Sequence, residues 1–479
     1  MTIPEPSPTQ ERRYYFSLVG VAVLLCWVLP GWSSLWLDET HTYWIVKDGI
    51  FDVITRAIWS GQSPLYFLFA WLAVRTGGNS EIVMRIPSMI AMGISAVFLY
   101  HIGKRLFDAE TGLLASVVFV SLKDVLFAAA DARPYALTMM LLLGHVLLLL
   151  RWLETGRWRD AAGCALLGAL TAYGHVVLAV GLAVPALYAF WRTQRRGRLL
   201  LIWLATAVLM APLSVQILTV SGHKTGLSDP YLPDMQGLFE YISPPPLVTC
   251  IGAGVLVAFL VLPSLKAHWR PTKSSTVLMV AWMLFPLFLF FILGRVTTIR
   301  LFIPRYLLPY TPGIALLVGC LVRAFDPARA RMFVAAAIVI MSVCALGRYG
   351  FRHSGDDWRG TMAAVRAAAS GTEIPVLISS AFLGAQTPED ISNSKLKEAF
   401  FTPEIMYPAA GRIVHLPFVL DENYLDSVIE TELAGKHEFL FVGPRAWVTW
   451  FKVRLRQRRP VVEHLGPYGS MDPVRIRLQ

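Results

Sequence analysis

The chain contains 479 residues, of which 55% are hydrophobic and 16% are charged, and its formal net charge is +11. This charged fraction is far below the roughly 25% of soluble domains, which excludes an ordinary soluble globule and indicates a protein that crosses a membrane several times. The basic excess does not indicate a nucleic-acid partner, because the Lys and Arg residues gather in short clusters between apolar segments. All five cysteines lie in apolar segments without CxxC spacing, so neither a disulfide framework nor a structural zinc site is expected.

Apolar runs long enough to cross the hydrocarbon core as helices recur along the first 350 residues. No small-residue cleavage pattern follows the first run, so we expect a retained helix and not a signal peptide. We predict about eleven spans, near 16–33, 83–103, 112–129, 134–151, 160–174, 175–191, 199–219, 247–265, 275–294, 304–323 and 331–347.

The basic residues predict the orientation of these spans. With the N-terminus in the cytoplasm, seventeen Lys and Arg residues fall in cytoplasmic segments, and seven fall in the opposite loops when the C-terminal domain is excluded. The positive-inside rule therefore predicts a multi-pass membrane protein with a cytoplasmic N-terminus and a C-terminal domain on the opposite side. The apolar segment SPLYFLFAWLAVRTG at 63–77 is too short to span comfortably, and counting it as a span would invert every later loop, so we assign it to the membrane interface inside the loop 34–82.

The predicted fold is mostly α. Residues 1–348 form a polytopic transmembrane helical bundle with a catalytic first external loop at 34–82, and residues 349–479 form a small extracytoplasmic α/β domain. In that domain the pattern predicts a helix over 357–370, buried strands in IPVLISS and EFLFVGP, and a closing hairpin in VVEHLGPYGSMDPVRIRL.

The loop 34–82 carries two adjacent carboxylates, Asp38 and Glu39, a few residues after the first predicted span. A carboxylate at interfacial depth is costly unless it is used or paired, so we predict acid–base chemistry here. The alternative is that Asp38 only caps a short surface helix, since Asp is a favoured N-cap residue.

A second polar focus, Asp131 with Arg133, precedes the predicted span at 134–151. A carboxylate and a guanidinium two residues apart at membrane depth favour a functional role, although Asp131 could merely be an N-cap. His175 lies near a predicted external turn and is a candidate donor in a pocket. A lone histidine is also common as a packing residue.

Arginines crowd one external edge before the tenth predicted span, where Arg295, Arg300 and Arg305 have Tyr306 and Tyr310 beside them. The planar and permanently charged guanidinium suits a phosphate ligand, while the alternative is that these side chains snorkel to lipid headgroups. No GxxxxGK[ST] or HExxH motif and no His/Cys cluster occurs, which disfavours nucleotide-driven transport and zinc hydrolysis.

Six short motifs then carry a resemblance: LDET at 37–40, SPLYFLFAWL at 63–72, EIVMRIPSMI at 81–90, DARPYAL at 131–137, PRYLLPYTP at 304–312 and DWRG at 357–360. Their order resembles the bacterial membrane glycosyltransferases of the GT-C superfamily, in the family 39 group of protein O-mannosyltransferases and lipid A aminoarabinose transferases. The resemblance covers most of the chain. Many members have His-Pro-Pro before PLYF, whereas this chain has Gln62–Ser63–Pro64, so a role for that histidine is not carried over.

This resemblance implies transfer of a sugar from a polyprenyl-phosphate carrier to an acceptor hydroxyl outside the cytoplasm, with inversion. Asp38 would be the general base, and Glu39 would orient acceptor or donor. We predict these site residues: Asp38, Glu39 and Asp131 as catalytic acids, Arg133, Arg300, Arg305 and Tyr306 on the donor phosphate, and His41, Arg85, His175, Asp357 and Arg359 in the acceptor site or pocket. No obligate metal is expected, although Asp38, Glu39 and Asp131 could hold a divalent cation.

The implied partners are the lipid-linked donor, a glycan, lipid or protein acceptor, and membrane lipids, without nucleic acid. A secondary transporter or lipid flippase is the main alternative, but we find no matching halves with Gly/Pro-interrupted helices, and the charges lie at external loops. A non-catalytic assembly subunit is a further alternative, against which the presence of Asp38 argues.

Overall fold

The computed structural model describes residues 5–214, 232–242, 272–298, 300–382, 385–392 and 394–479. The chain divides into two compact units, the first comprising Met1–Trp32 and Ile54–Phe351, the second Ser33–Val53 and Arg352–Gln479. The sequence had placed the whole loop 34–82 with the transmembrane domain. In the structure the first part of that loop belongs to the second unit, because it bonds to C-terminal residues as described below.

Helices account for every regular element up to residue 347 in the described part of the chain. The first begins at a capping box, in which Ser7 Oγ accepts the Gln10 N–H at 3.3 Å and Gln10 Oε1 accepts the Ser7 N–H at 2.7 Å. The helices are α1 (Pro8–Val23, extended by a π-helical turn Leu24–Val28 and a 3-10 turn Pro30–Trp32), α2 (Leu37–Val46), α3 (Ile50–Trp59), α4 (Leu65–Gly77), α5 (Glu81–Leu106), α6 (Ala109–Ser121), α7 (Lys123–Ala129), α8 (Tyr135–Thr155), α9 (Trp158–Gly174), α10 (Ala183–Arg192, after a 3-10 turn Val177–Leu182), α11 (Arg196–Met210), α12 (Met235–Ile242), α13 (Lys273–Val296), α14 (Pro304–Leu307, followed by a 3-10 turn Leu308–Tyr310), α15 (Thr311–Arg323) and α16 (Ala328–Gly347).

Six stretches within the described ranges are long and apolar enough to cross a membrane: Pro8–Trp32, Glu81–Leu106, Tyr135–Thr155, Lys273–Val296, Pro304–Arg323 and Ala328–Gly347. A seventh results if α6 and α7, which are bent by 70°, form one broken span. The predicted count of eleven is not confirmed. Helix α9 has 17 residues and the stretch Val177–Arg192 is also short, while the predicted spans 199–219 and 247–265 fall partly or wholly outside the described residues.

Small residues allow helices of the first unit to approach one another closely. A Cβ atom added to Gly103 on α5 would lie 2.7 Å from the Cα of Gly112 on α6. A Cβ atom on Gly313 of α15 would lie 2.4 Å from the backbone nitrogen of Met283 on α13. Such glycine contacts are characteristic of helix packing in membranes, and they fix the backbones from which the polar loops project.

The second unit combines α2 with an α/β arrangement built from residues after 351. The helix predicted over 357–370 and the strands predicted in IPVLISS, EFLFVGP and the closing hairpin are all present, while one edge strand, β2, was not anticipated. The elements are α17 (Trp358–Ala369), β1 (Pro375–Ser379), α18 (Pro388–Ser392), α19 (Ser394–Phe400), α20 (Thr402–Met406), β2 (Arg412–Leu416), α21 (Glu422–Thr431), β3 (Glu438–Val442), α22 (Arg445–Arg454), β4 (Val461–His464) and β5 (Val474–Arg477).

The five strands form one mixed sheet in the order β2-β1-β3-β5-β4. Strand β1 is parallel to both neighbours, whereas β5 pairs antiparallel with β3 and β4. Alternating apolar residues carry the core, with Leu377 opposite Phe441 and both buried among Phe451 and Ile476. Helix α22 covers this core through Phe451, whose ring centroid lies 5.3 Å from that of Phe441.

Candidate active site

The predicted site residues are distributed over both units. In the first unit, Asp131 and Arg133 lie in the loop between α7 and α8. Asp131 is fully buried and Arg133 is 9% exposed. The N-cap of α8 is Pro134, so the alternative in which Asp131 caps this helix is wrong. The Arg133 backbone N–H donates to the Asp131 carbonyl at 2.8 Å, which holds the two residues in a tight turn.

Two hydroxyl groups support this turn from neighbouring helices. Ser88 Oγ on α5 donates to the Arg133 carbonyl at 3.3 Å, and it shares a hydrogen bond of 2.9 Å with Tyr66 Oη on α4. Tyr66 belongs to the motif SPLYFLFAWL and Ser88 follows Pro87 of the motif EIVMRIPSMI. Three of the sequence motifs therefore meet at the backbone of Arg133.

His175 lies in the turn that follows α9, between two aromatic rings. Its ring centroid is 5.3 Å from that of Tyr135 and 5.4 Å from that of Tyr306, and the Arg305 guanidinium lies 5.5 Å over the Tyr306 ring. Burial, and then the positive charges of Arg133 and Arg305, lower the pKa of His175 to about 3, so its ring is neutral at physiological pH. We call these five residues the arginine–aromatic cluster.

The Nδ1 atom of His175 is buried and has no hydrogen-bond partner among the described residues. A neutral imidazole with an unused nitrogen can donate to or accept from a bound ligand. The structure thus brings together four residues that the sequence singled out separately, His175 and the predicted phosphate ligands Arg133, Arg305 and Tyr306. Tyr135 was not anticipated, because an aromatic at the start of an apolar helix looks like ordinary packing.

The other two predicted residues of the first unit, Arg300 and Arg85, are not members of the arginine–aromatic cluster. Arg300 is half-buried in the segment that precedes α14. Arg85 is fully buried, and its guanidinium donates to the carbonyls of Pro30 at 3.2 Å and Gly31 at 3.0 Å. These bonds satisfy carbonyls at the end of the α1 segment, which gives Arg85 a structural role beside the predicted one.

A further polar pair in the first unit was missed by sequence reasoning. Asp124 on α7 accepts a hydrogen bond of 2.9 Å from Tyr310 Oη, and the ring of Tyr241 lies 5.9 Å from that of Tyr310. The carboxylate is 8% exposed. In the sequence Asp124 was indicated only by the dipeptide Lys123–Asp124 inside an apolar run. That run is part of the predicted span 112–129.

In the second unit, the two adjacent acids occupy the first turn of α2. The N-cap is Trp36, so Asp38 is the second helical residue and Glu39 the third. Glu39 Oε2 accepts the Trp36 N–H at 3.2 Å, and Glu39 is fully buried, whereas Asp38 is half-buried. The alternative in which Asp38 is the N-cap of this helix is therefore wrong, since Glu39 performs the capping contact.

The remaining predicted residues of the second unit have distinct surroundings. The His41 ring lies 5.2 Å from that of Trp44 and 5.6 Å from that of Phe382. Asp357 is the N-cap of α17, where its Oδ1 accepts the Gly360 N–H at 2.8 Å. Arg359 is exposed on that helix. Asp357 thus has a structural function that a favoured N-cap residue commonly serves.

Residues 61–218 match the family model for dolichyl-phosphate-mannose-protein mannosyltransferases. The structure is similar to that of ArnT from Cupriavidus metallidurans in the apo state, with a TM-score of 0.61 at 12% sequence identity over 97% of each chain. The chain has the fold of the GT-C glycosyltransferases. The family model thus confirms the resemblance over residues 61–218, which include three of the six motifs.

Two further structures share this GT-C fold. ArnT from the same organism bound to undecaprenyl phosphate gives a TM-score of 0.58 at 12% identity, covering 96% of this chain and 97% of that one. The arabinofuranosyltransferase AftD from Mycobacteria gives 0.51 at 16% identity, covering 99% of this chain but only 40% of AftD. A search of curated protein sequences finds no match.

Proposed function

We propose that the chain is an integral membrane glycosyltransferase that moves a sugar from a polyprenyl-phosphate donor to an acceptor hydroxyl outside the cytoplasm, with inversion. The observation that carries the proposal is the arginine–aromatic cluster, in which the His175 ring packs against Tyr135 and Tyr306 and the Arg305 guanidinium lies over the Tyr306 ring. A similarly folded protein, ArnT, binds undecaprenyl phosphate. The acceptor is an envelope glycan such as lipopolysaccharide, a lipid, or a protein side chain.

The arginine–aromatic cluster can stabilise the negative charge of a departing lipid phosphate. When the bond between the sugar C1 and the phosphate oxygen breaks, negative charge accumulates on the phosphate. Arg133 and Arg305 carry permanent charge and can present paired N–H donors to its oxygens, and the neutral His175 adds a further polar contact. Tyr306 lies against both Arg305 and His175.

Asp38 is the proposed general base. An acceptor hydroxyl attacks C1 from the face opposite the phosphate, so the new C–O bond forms as the old one breaks and the configuration inverts. The hydroxyl proton passes to the Asp38 carboxylate, which is half-buried at the start of α2. Glu39 supports this acid by closing the first turn of the same helix, and Asp131 remains the third acid of the proposed set.

Metal dependence is a separate part of the proposal. We expect transfer to need no obligate metal, because arginines alone can stabilise a lipid monophosphate as a leaving group. Dialysis of the purified protein against EDTA should then leave turnover unchanged. Loss of turnover that Mg²⁺ or Mn²⁺ restores would show instead that the acids hold a divalent cation.

The proposed location is the bacterial inner membrane, with the N-terminus in the cytoplasm and the C-terminal residues in the periplasm. The basic residues between apolar segments support this orientation. Reporter fusions at Gly355 and near Gly222 should be periplasmic, and fusions near Gly197 and His268 should be cytoplasmic. A cytoplasmic reporter at Gly355 would contradict the orientation.

The function is tested by mass spectrometry of lipids and envelope glycans from cells with and without the gene. Loss of the enzyme should cause a polyprenyl-phosphate sugar to accumulate and one envelope component to lose that sugar. The accumulating lipid identifies the donor, and the altered component identifies the acceptor. Identical lipid and glycan profiles in the two strains would contradict the proposal.

A further inference from the structure

Helix α2, which carries Asp38, is bonded to C-terminal residues of its own unit. Immediately before the helix, the Leu35 backbone N–H donates to Tyr407 Oη at 2.9 Å. Within the helix, the hydroxyls of Thr40 and Thr402 share a hydrogen bond of 2.8 Å, and both residues are fully buried. Two points of attachment therefore flank Asp38 in the sequence.

A third attachment lies near the end of α2. Trp44 Nε1 donates to Glu398 Oε2 at 3.2 Å, and Lys47 Nζ lies 3.7 Å from the same oxygen. The attachments extend from residue 35 to residue 47 and so include the whole of α2, which has 10 residues. A helix held at both ends and in the middle can neither tilt nor rotate freely.

The attachments also determine where Asp38 projects. Thr40 and Trp44 are four residues apart and share one face of α2, which packs on α20 and α19. Asp38 precedes Thr40 by two residues, so its side chain leaves the helix roughly 200° around the axis from that face. Holding the Thr40 face therefore aims Asp38 in the opposite direction.

We propose that Tyr407 and Thr402 are positioning residues for the Asp38 carboxylate, holding α2 in the rotation that sugar transfer requires. The proposal rests on the function proposed above, in which Asp38 is the general base. It gives the C-terminal segment a part in catalysis through Thr402, which bonds to α2, and Tyr407, which bonds to Leu35 just before it.

The direction of the Thr40–Thr402 hydrogen bond determines which variants test the proposal. Thr40 Oγ1 also donates to the Leu37 carbonyl at 2.7 Å, so its single proton is used there and Thr402 is the donor to Thr40. Thr402→Val removes this donor with little change in shape, whereas Thr402→Ser keeps it. Tyr407→Phe removes the acceptor of the Leu35 N–H.

The test uses the purified full-length protein and a transfer assay with a polyprenyl-phosphate sugar. Tyr407→Phe and Thr402→Val should lower kcat about 10–100-fold, because small displacements of a catalytic group cost up to about 10²-fold. The donor KM should stay within about twofold, since donor binding is not altered. Thr402→Ser should retain nearly the original kcat.

Tyr424→Phe is the matched control. Its hydroxyl, in the same unit, donates to the His415 carbonyl at 3.3 Å and does not contact α2, so the loss of this hydroxyl should leave kcat unchanged. The double variant Asp38→Asn/Tyr407→Phe should be no slower than Asp38→Asn alone, because Tyr407 acts through Asp38. Independent, multiplied losses would overturn the positioning role.

The outcomes separate the two proposals. Full kcat in both Tyr407→Phe and Thr402→Val, with Asp38→Asn inactive, overturns the positioning role and leaves the proposed function intact. Full turnover in Asp38→Asn overturns the base assignment and the positioning role with it.

Hydrogen exchange gives a readout that does not depend on turnover. Amides over residues 35–46 should exchange about fivefold faster in Tyr407→Phe than in Tyr424→Phe, the factor expected for the loss of one hydrogen bond. Equal exchange in the two variants would overturn the proposal even if transfer falls.

Discussion

Glu39 accepts the backbone N–H of Trp36 at 3.2 Å, so one of the two adjacent acids closes the helix turn in which the other lies. Asp38 and Glu39 therefore have different roles. Glu39 is fully buried and stabilises the start of α2, whereas Asp38 is half-buried and does not occupy the N-cap position. The acid that is more available for chemistry is thus the first of the pair.

Glu39→Ala should lower the apparent Tm of the detergent-solubilised protein, because the Trp36 N–H loses its acceptor. The expected cost is about 0.5–2 kcal/mol, the range for loss of a helix cap. Glu39→Gln should cost less, since its amide oxygen can still accept the same N–H. An unchanged Tm in Glu39→Ala would show that the contact contributes nothing to stability.

The phosphate assignment predicts that Arg305→Lys weakens donor binding. Lysine keeps the charge but lacks the planar pair of donors, so polyprenyl phosphate should bind about 1–3 kcal/mol more weakly, as measured by titration of the purified protein. Arg295→Lys is the matched control, because Arg295 is exposed and its guanidinium lies over the Phe291 ring. Unaltered donor affinity in both Arg133→Ala and Arg305→Ala would leave these side chains as headgroup contacts only.

The cluster of Arg133, His175, Arg305 and Tyr306 could largely be predicted from the sequence. Charged residues beside apolar segments are costly, so the few that occur there identify a site even without its geometry. The pattern could not show that His175 lies between two aromatic rings, because Tyr135 and Tyr306 are separated by more than a hundred residues. They come together because α8 and α14 both pack against the turn after α9, where His175 lies.

For other features the sequence contained no indication of the interaction partner. The Thr40–Thr402 hydrogen bond joins residues 362 positions apart, and a threonine in either segment looks like an ordinary helix residue. Asp124 was hidden inside an apolar run because its cost is offset by Tyr310, a partner far along the chain. The alternative in which Asp38 caps α2 was wrong because Trp36 occupies that position, although Trp is not a favoured N-cap residue, and the Glu39 side chain accepts its backbone N–H.

A buried ion-pair network predicts a large stability effect in the first unit. Arg331 lies 3.3 Å from Glu11 and 2.5 Å from Glu110, and its side chain is 9% exposed. Arg331→Met removes the cation that pairs with Glu11, which should cost about 3–5 kcal/mol in unfolding experiments. Arg105→Met, which breaks the exposed pair with Glu154, should cost no more than about 1 kcal/mol. Equal effects of the two variants would contradict the buried character of the network.

The close approach of α15 to α13 predicts that Gly313→Ala is destabilising. The added methyl would meet the Met283 backbone at 2.4 Å, and backbone cannot move aside without shifting a helix. We expect a loss of about 1–3 kcal/mol, as for overpacked cores. Gly20→Ala is the control, because a Cβ there meets nothing within 4 Å. A Tm for Gly313→Ala at or above that of Gly20→Ala would refute the contact.

The central claim is that Asp38 is the base that activates the acceptor. Its most direct test is the turnover of Asp38→Asn in the in vitro transfer assay, with donor affinity measured on the same preparation. Asparagine nearly preserves the shape of the side chain, so donor binding and Tm should persist, while turnover should fall on the order of 10²–10⁴-fold. Turnover close to that of the unaltered protein would contradict the claim and transfer the base assignment to Glu39 or Asp131, which Glu39→Gln and Asp131→Asn then distinguish.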